Sequence, residues 1–508
     1  MSTETNPWLV ALSVMLATFM VVLDSSVANV ALPHIAGSLS ASTDESTWVL
    51  TSYLVSNAII LPASGWIAAR IGRKRLLMIS IVLFTAASFL CGASLSMPML
   101  VVARVLQGVG GGGMQPIAQA VLLETFPAEK RGAAMAAYGM GVVVAPIIGP
   151  TLGGWITDSY SWRWIFYINL PIGILALFLV NLFVTDPPYL RVGRARRIDY
   201  PGFLAMSVWL GALQLVLDKG QEADWFGAQW IVATTLISGA AMVAFVWREL
   251  STKEPIVNLR VLKNRNFATG TFLASAYGVV LYGITAMLPL FLQTLMGYPA
   301  LQSGLAVSPR GVGSLVSMFL VGRLVNYVDN RLLLAGGFGI LAFSSYTFSH
   351  INLQIAMVNV AAPNIVNGFA TGFIFVPLTT MAMGTLEKHE MGNATGVYNL
   401  MRNLGGSFGI AVFTTLLARG AQSHQQILVG HLTPENPILR SNLDALGRYV
   451  AGLVGPAAAA RDAYALLYSE VVRQATMLAY ADNFRLLTVL AISCVPLVLL
   501  FRRVRRAR

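Results

Sequence analysis

The feature that most limits the fold of this chain is a series of apolar stretches, each close to twenty residues or longer, along most of its length. A membrane's hydrocarbon core is about 30 Å thick and a helix rises about 1.5 Å per residue, so each stretch predicts a membrane-spanning helix. Fourteen candidate spans result, near residues 8–33, 47–69, 76–95, 98–123, 133–156, 164–184, 201–217, 228–247, 267–292, 300–325, 332–349, 357–384, 392–418 and 483–501. The predicted fold class is an all-α membrane protein with 14 transmembrane helices.

Composition supports the same class. The chain is 56% hydrophobic and only 11% charged, whereas a soluble domain carries about 25% charged residues. Soluble enzymes, nucleic-acid-binding proteins and disordered proteins are therefore excluded, and the lipid bilayer is the expected surrounding medium. The first seven residues contain no Lys or Arg. A cleavable signal needs such a basic start, so the first stretch is expected to remain as a span.

The net charge of +12 indicates orientation rather than a nucleic-acid partner. Most of the 34 Lys and Arg residues fall in alternate connections between the spans, which predicts that these connections and both chain termini are cytoplasmic. The groups in those connections include Arg70 to Arg75, Lys130 and Arg131, Arg191 to Arg197, Arg323 and Arg331, Lys388, and the tail from Arg502 to Arg508.

The chain also repeats itself. A shift of 260 residues lays the fourth and fifth spans on the twelfth and thirteenth, matching Gly108 with Gly368 and Tyr138 with Tyr398. Because inward spans fall on inward spans, the repeats are parallel. The predicted domains are an N-terminal six-helix bundle at 1–185, two extra spans with a cytoplasmic linker at 186–250, and a C-terminal six-helix bundle at 251–508 that includes a long outer loop at 419–481.

The sequence lacks the motifs of ATP-driven pumps, of enzymes and of metal sites. None of the six lysines follows a Gly, so the chain has no phosphate-binding loop for an ATP-driven pump. Two enzyme-like glycine patterns, at residues 108–113 and 405–409, lie inside apolar helices without the strand that such motifs require. Cys91 and Cys494 also lie in apolar runs, which argues against a disulfide or metal site. No enzyme activity, cofactor or metal is expected.

Ionisable residues inside the spans are the main candidates for function, because each is costly unless it faces a partner or a cavity. They are Asp24, Arg104, Arg310 and Arg402. Asp24 and Arg104 lie at similar depth in the first half, so they can pair. The pair is either a static buried ion pair or a switch in which Asp24 gains and loses a proton.

The fifth span carries small residues on one helix face at intervals of four: Gly141, Ala145, Gly149 and Gly153. Pro146 and Pro150 interrupt its hydrogen bonding, and Gly154 follows. Such a face permits either close helix packing alone or a bent hinge that seals one side of a cavity.

Four of these segments resemble the motifs of one family, the fourteen-span drug:proton antiporters of the major facilitator superfamily, of the EmrB and QacA type. They are Leu23–Pro33 in the first span, Gly65–Arg75 between the second and third, Arg104–Gly108 in the fourth, and Gly141–Gly154 in the fifth. The long outer loop and its closing segment Gln474–Asp482 resemble the EmrB type, the inner-membrane subunit of tripartite efflux pumps.

This resemblance implies export of amphipathic or hydrophobic drugs in exchange for protons, by alternating access, at the cell inner membrane. It implies proton coupling at Asp24, modulation of its proton affinity by Arg104, and a cavity between the bundles. It also implies a periplasmic membrane-fusion adaptor and an outer-membrane channel as partners. The predicted cavity residues are Asn29, Gln107, Arg310 and Arg402, and the predicted loop-motif residues are Gly65, Arg70, Gly72 and Arg73.

One departure concerns the loop motif. The family usually has Asp before the first Arg, where this chain has Ala69. That Asp is thought to help latch the two halves at the cytoplasmic face. Glu124 could supply the missing acid with Arg73 or Arg131 as its partner, or the charges could form a solvated pair of negligible strength.

Two other functions stay open at this stage. The chain could be a dedicated exporter of one metabolite, such as a siderophore or a fatty acid, or a membrane receptor that transports nothing. Arg402 has no counterpart in the first half, since Val142 occupies the equivalent position. Its side chain could contact anionic substrates or cap helix carbonyls.

Overall fold

A computed structural model of the chain describes residues 6–187, 199–433 and 435–502. All regular secondary structure in these ranges is helical. A helix satisfies its own backbone hydrogen bonds, which lipid cannot do. The first half contains α1 (Pro7–Ser38), α2 (Thr43–Ile71), α3 (Arg73–Gly92), α4 (Met97–Gly112), α5 (Met114–Thr125), α6 (Arg131–Ser159), α7 (Trp164–Tyr167) and α8 (Asn169–Phe183).

Two helices then lead into the second half. The intervening pair is α9 (Tyr200–Lys219) and α10 (Gln229–Ser251). The second half contains α11 (Arg265–Thr294), α12 (Ala300–Val307), α13 (Pro309–Leu324), α14 (Asn330–Phe348), α15 (Met357–Met383), α16 (Met391–Gly430), α17 (Pro437–Val454) and α18 (Pro456–Leu497).

The predicted fold class, an all-α membrane protein, is confirmed. Within the described ranges, 13 helical segments are long and apolar enough to cross a membrane. The remaining predicted span, the fourth, is helical but is divided at Gly113 into α4 and α5, each too short to qualify alone. Gly113 ends a run of four glycines, which are poor helix formers and allow close packing. The backbone beside Gly110 lies close enough to Phe84 that a Cβ would come within 2.6 Å of its nitrogen.

Two helices are longer than their predicted spans. The thirteenth span was expected to end near residue 418, yet α16 continues to Gly430. The last span was expected to start near residue 483, yet α18 starts at Pro456. The apolar pattern ends where the predicted spans end, whereas the helices continue because α18 packs on both α16 and α17. The first part of α18 therefore lies within the predicted outer loop at 419–481.

Helix packing repeats between the halves. The first half packs α1 on α6 and α4 on both α2 and α3. The second half packs α11 on α16 and α15 on both α13 and α14. Between them, α9 packs on α10 and on α2, with weaker contact to α16. The long helices α6 and α13, and α2 and α16, form the main contacts between the two six-helix bundles.

The bundle has two distinct ends. We call the end with the α2–α3, α5–α6, α13–α14 and α15–α16 connections the basic end, and the end with α17 the loop end. At the basic end the two bundles touch, and a Cβ on Gly65 would lie 2.7 Å from the backbone nitrogen of Asn393. The linker arginines, Arg191, Arg194, Arg196 and Arg197, and the tail from Arg503 lie outside the described residues.

Candidate functional site

Asp24 and Arg104 form an ion pair inside the first bundle. Nη1 of Arg104 donates to Oδ2 of Asp24 at 2.6 Å. Asp24 on α1 is 2% exposed and Arg104 on α4 is 0% exposed. The pair therefore lies in a place that water does not reach in this conformation, where an unpaired charge would be costly.

The second carboxylate oxygen of Asp24 accepts two neutral hydrogen bonds. Nε2 of Gln107 donates to Oδ1 at 2.8 Å, and Nδ2 of Asn169 donates to the same oxygen at 2.7 Å. Both amides also contact Oγ of Ser88, at 3.2 Å and 2.9 Å respectively. Ser88 in turn donates to the backbone oxygen of Phe166 at 2.8 Å. All the side chains of this network are buried.

Arg104 is held from several sides. Its Nε donates to the backbone oxygen of Val49 at 2.9 Å, and its Nη1 also donates to Oε1 of Gln107 at 2.7 Å. Its guanidinium carbon lies 4.3 Å from the ring centroid of Tyr53 and 5.7 Å from that of Phe166. These contacts fix the guanidinium in position, while its Nη2 has no hydrogen-bond partner among the described residues.

The structure changes the predicted surroundings of Asp24. The sequence predicted that Asp24 couples to protons and that Gln107 is a cavity residue. In this conformation both side chains point into the first bundle, and Gln107 is 0% exposed. Spacing along a helix does not say which of its faces meets the other bundle, so the cavity role of Gln107 stays a prediction. Sequence reasoning also missed Asn169 and Ser88, although each is a polar residue inside an apolar run.

The other predicted cavity residues lie elsewhere. Asn29 is exposed on α1 and donates to the backbone oxygen of Ser25 at 3.1 Å. Nη1 of Arg310 on α13 donates to Oγ1 of Thr285 on α11 at 2.6 Å. Asn29 is thus exposed and Arg310 is partly buried, each within an apolar helix.

Arg402 lies at the contact between the bundles. Its Nη2 donates to Oε1 of Gln115 on α5 at 3.2 Å, and the residue is 7% exposed. One turn away on α16, Asn399 donates to Oε1 of Gln119 at 2.7 Å. Arg402 therefore bonds a side chain of the opposite bundle and caps no helix carbonyl. Among the described residues neither Arg310 nor Arg402 forms an ion pair, and α11 to α16 contain no Asp or Glu.

The small-residue face of α6 packs against α1. A Cβ on Gly149 would lie 2.6 Å from Cβ of Ser26, and a Cβ on Gly153 would lie 2.8 Å from Cγ1 of Val27. Ala145 is fully buried, whereas Gly141 and Gly154 have more room. The helix is continuous through Pro146 and Pro150. Close packing therefore accounts for Gly149 and Gly153, and the helix that they contact carries Asp24.

The loop motif forms a buried ion pair at the basic end. Arg73 pairs with Glu124, and both side chains are less than 10% exposed. Gly72 has a φ of +94°, which favours glycine at the α2–α3 turn. The guanidinium of Arg70 lies over the ring of Trp66, 5.8 Å from its centroid. The charges of Arg73 and Glu124 are thus shielded from solvent.

Ala69 lines a cleft of about 150 Å³ between the bundles, at the position where the acid of the motif is missing. The cleft is also lined by Arg73 and by the start of α16 at Gly392. Glu124 does not line this cleft. It therefore pairs with Arg73 without taking the place next to α16.

The site at Asp24 can exist in two charge states. As a carboxylate, Asp24 is balanced by Arg104 and by two amide donors. As a neutral acid it would leave Arg104 with its carbonyl, amide and aromatic contacts. A carboxyl group with a counter-charge and two amide donors is a candidate proton-binding group.

The sequence-family model for the Major Facilitator Superfamily matches residues 14–410 of this chain. The chain belongs to the major facilitator superfamily. This superfamily member is a multi-span membrane protein, and its family and relatives indicate a transporter rather than an enzyme.

Named relatives are similar over most of the chain. The multidrug export protein EmrB of Haemophilus influenzae is 39% identical over 435 residues, covering 85% of each chain. The fatty acid resistance protein FarB of Neisseria gonorrhoeae is 38% identical over 430 residues, covering 85% of this chain and 84% of FarB. Among solved structures, the human organic anion transporter MFSD10 has a TM-score of 0.62 at 12% identity, covering 96% of this chain and 99% of the transporter. That likeness shows the fold alone.

Proposed function

We propose that this superfamily member exports amphipathic or hydrophobic small molecules in exchange for protons, by alternating access of the cavity between its two bundles. The observation that carries the proposal is the buried Asp24–Arg104 pair in its amide network. Asp24 is the carboxylate that binds the proton, and Arg104 is the counter-charge of its ionised form. The similarity to multidrug export proteins over 85% of the chain supports the same function.

Helix α1 links the cavity to the proton. Asn29 is exposed on the same helix as Asp24, five residues farther on, which is about 7.5 Å along the helix axis. A substrate that contacts Asn29 can therefore shift α1 relative to α4 and α8. That shift changes the contacts of Asp24 with Arg104 and the two amides, which couples substrate binding to proton release. The close packing of Gly149 and Gly153 makes α6 move with α1, as a hinge would.

We place the basic end in the cytoplasm and the loop end in the periplasm, with the chain in the inner membrane and both termini cytoplasmic. The distribution of Lys and Arg over the connections supports this orientation. In the conformation described here the bundles touch at the basic end through Gly65 and Asn393, and farther along the helices through Arg402 and Gln115. The cavity then opens toward the periplasm.

Transport by purified protein tests the proposal. Vesicles containing only this chain, with an acidic interior, should accumulate an amphipathic dye through molecules whose loop end faces inside. A protonophore should abolish that accumulation, because it removes the proton gradient. Accumulation that is independent of the gradient, or absent altogether, contradicts a proton-coupled exporter and favours a receptor.

A second candidate is export of amphipathic anions such as fatty acids. The specific observation is that Arg310 and Arg402 lie in the second bundle without a carboxylate partner, and that α11 to α16 contain no acid. The similarity to a fatty acid resistance protein agrees with it. Competition separates the two: unrelated neutral and cationic drugs should displace the dye from a multidrug exporter, whereas only anions displace it from a dedicated one.

We further propose that the loop-end helices bind a periplasmic adaptor, which passes substrate to an outer-membrane channel. Residues 419–481 form the end of α16, the whole of α17 and the first half of α18. On α17, Ile438 is 71% exposed and Tyr449 is 67% exposed. They are eleven residues apart, which puts them on one face three turns from each other. Exposed apolar residues on one face suit a protein contact.

Deleting residues 430–470 should abolish resistance in whole cells and leave transport by purified protein measurable. The double variant Ile438→Glu and Tyr449→Glu should do the same without shortening the chain. Ser441→Glu, which adds one of those two charges on α17 without removing an apolar side chain, is the control and should retain resistance. Equal loss in cells and in vesicles contradicts the adaptor role.

A further inference from the structure

We infer that Asn169 is a positioning residue that follows the charge of Asp24 by turning its side-chain amide. The inference rests on the proposed function of Asp24 as the proton carrier. Asn169 lies at the start of α8, is 0% exposed, and donates to Oδ1 of Asp24 at 2.7 Å. Of the side chains around Asp24, Asn169 is the one whose amide can turn without breaking a hydrogen bond to a charged arginine.

The observed arrangement suits a charged Asp24. Oδ1 accepts from the amides of Gln107 and Asn169, and Oδ2 accepts from Arg104. Every group that faces the carboxyl in these bonds is a donor. An acceptor-only carboxylate is therefore fully satisfied.

Protonation of Asp24 breaks this match. A proton on Oδ2 would point at the guanidinium of Arg104, which has only donors. A proton on Oδ1 would point at two amide NH2 groups. The neutral acid therefore needs one neighbour that can present an acceptor, and an amide can do so by a half turn about its last side-chain bond.

Of the two amides, Asn169 is the one free to turn. Oε1 of Gln107 already accepts from Arg104 at 2.7 Å and lies 3.5 Å from Sγ of Cys91. Oδ1 of Asn169 is buried and has no hydrogen-bond partner among the described residues. Turning Gln107 would break a bond to a charged group, whereas turning Asn169 gives an unsatisfied oxygen its first partner.

Ser88 allows the turn to be completed. In the observed state its Oγ accepts from Asn169 at 2.9 Å and donates to the backbone oxygen of Phe166 at 2.8 Å. After the turn, Oδ1 of Asn169 faces both Asp24 and Ser88. Rotation of the hydroxyl then lets Ser88 donate to Asn169 instead of Phe166, because a hydroxyl proton moves freely about its C–O bond.

Few other titratable groups lie near enough to influence the protonation of Asp24. The titratable groups facing Asp24 are Arg104 on α4, Tyr53 on α2 and Cys91 on α3. Helix α8 itself contains no ionisable residue. The charge that Asn169 follows is therefore set by Asp24 and Arg104.

Infrared difference spectra of detergent-purified full-length protein, taken from about pH 5 to about pH 9, test the inference. The probe is the proton itself, so no drug is needed. In the parent, a protonated-carboxyl band should appear on acidification together with a shifted asparagine carbonyl band. Labelling with carbon-13 asparagine should move the second band, and Asn169→Leu should remove it.

The midpoint of the carboxyl band gives the second readout. Asn169→Leu removes a donor to the charged form, so the protonated form gains and the midpoint should rise by about one pH unit. Asn364→Leu is the matched control. Asn364 is a fully buried amide of α15 that also has an unpartnered Oδ1 and lies in the other bundle. Its loss should leave the midpoint and the asparagine band as in the parent.

Two results would overturn the inference. The first is a carboxyl-band midpoint in Asn169→Leu equal to that of the parent. The second is that spectra of the labelled parent show no pH-dependent asparagine band, or show one that Asp24→Asn does not remove. The second result needs no change at Asn169, so it decides even if Asn169→Leu does not fold. If Asp24→Asn leaves the titrating carboxyl band in place, the proposed proton carrier is wrong instead. The two failures are thus distinguishable.

Discussion

The two six-helix bundles share a packing pattern but differ in charge. At the offset of 258 residues that relates α1 to α11, Asp24 corresponds to Tyr282. At the offset of 260 that relates α4 to α15, Arg104 corresponds to Asn364. The ion pair of the first bundle thus has neutral residues at both equivalent positions in the second. The repeat preserves the helix packing and not the charges.

The arginines of the second bundle have different partners from Arg104. Its arginines bond neutral side chains, Arg310 to Thr285 and Arg402 to Gln115. A cation next to neutral groups keeps its capacity to attract an anion, whereas the positive charge of Arg104 is balanced by the carboxylate of Asp24. Under the proposed function, the first bundle handles the proton and the second contacts charged substrates.

The largest expected effect comes from removing Arg104. Arg104→Ala leaves a buried Asp24 without its counter-charge, so the neutral acid is favoured and the midpoint pH of proton release should rise by about 1–3 units. Proton release is measured with a pH indicator on addition of a neutral amphipathic dye to purified protein. Arg402→Ala, the arginine of the second bundle, should keep the parent midpoint. Equal shifts in both variants would remove the distinction between the bundles.

The next effect concerns packing that the bundles share. Gly153→Ala would place a Cβ 2.8 Å from Val27 Cγ1, and Gly409→Ala in the second bundle would place one 2.6 Å from the backbone oxygen of Val279. Overpacking of this kind costs about 1–3 kcal/mol, so both should lower the melting temperature. Gly154→Ala, whose nearest neighbour lies at 3.9 Å, is the control. An unchanged melting temperature for Gly153→Ala contradicts the close contact of α6 with α1.

A smaller effect is expected for substrate charge. Arg402→Gln removes the positive charge and keeps a donor for Gln115. Binding of decanoate should weaken by about tenfold, the loss of one charge-assisted contact, while binding of a neutral dye stays the same. Isothermal titration of both compounds provides the check. Weakening of the neutral dye to the same extent would mean that Arg402 only supports the contact between the bundles.

The smallest effect concerns the cleft at the basic end. Ala69→Asp puts an acid beside the start of α16, and an acid at a helix N-terminus contributes about 0.3–1 kcal/mol. The closed basic end should be stabilised, so dye transport in vesicles should slow by about two- to fivefold. Ala69→Asn adds the same volume without charge and should slow transport less. Faster transport in Ala69→Asp contradicts a latch at this cleft.

Much of the fold could be predicted from the sequence because lipid imposes one rule on every span. Apolar length alone located the fourteen predicted spans, all of which fall on helical residues, and the repeat predicted two six-helix bundles. The lengths of α16 and α18 could not be predicted, since their outer parts are stabilised by packing on each other rather than by lipid. The division of the fourth span at Gly113 depends likewise on close approach to neighbouring helices.

The site was predictable only where charge makes burial costly. Asp24 and Arg104 stand out because an isolated charge in a span is expensive, so their pairing could be anticipated. Asn169 and Ser88 are neutral, and such residues are tolerated in spans for many reasons. The neighbours of Gln107 could not be predicted, because only the three-dimensional packing shows which face of α4 lies toward α1.

The most direct test of the central claim is proton release by Asp24→Asn, which keeps the shape of the side chain and cannot ionise. A neutral amphipathic dye is added to purified parent and variant from about pH 5 to about pH 9, with dye binding measured in parallel. The account predicts that the variant binds the dye as the parent does and releases no protons. Release from Asp24→Asn that equals that of the parent would contradict it, since the proton would then be carried by another group.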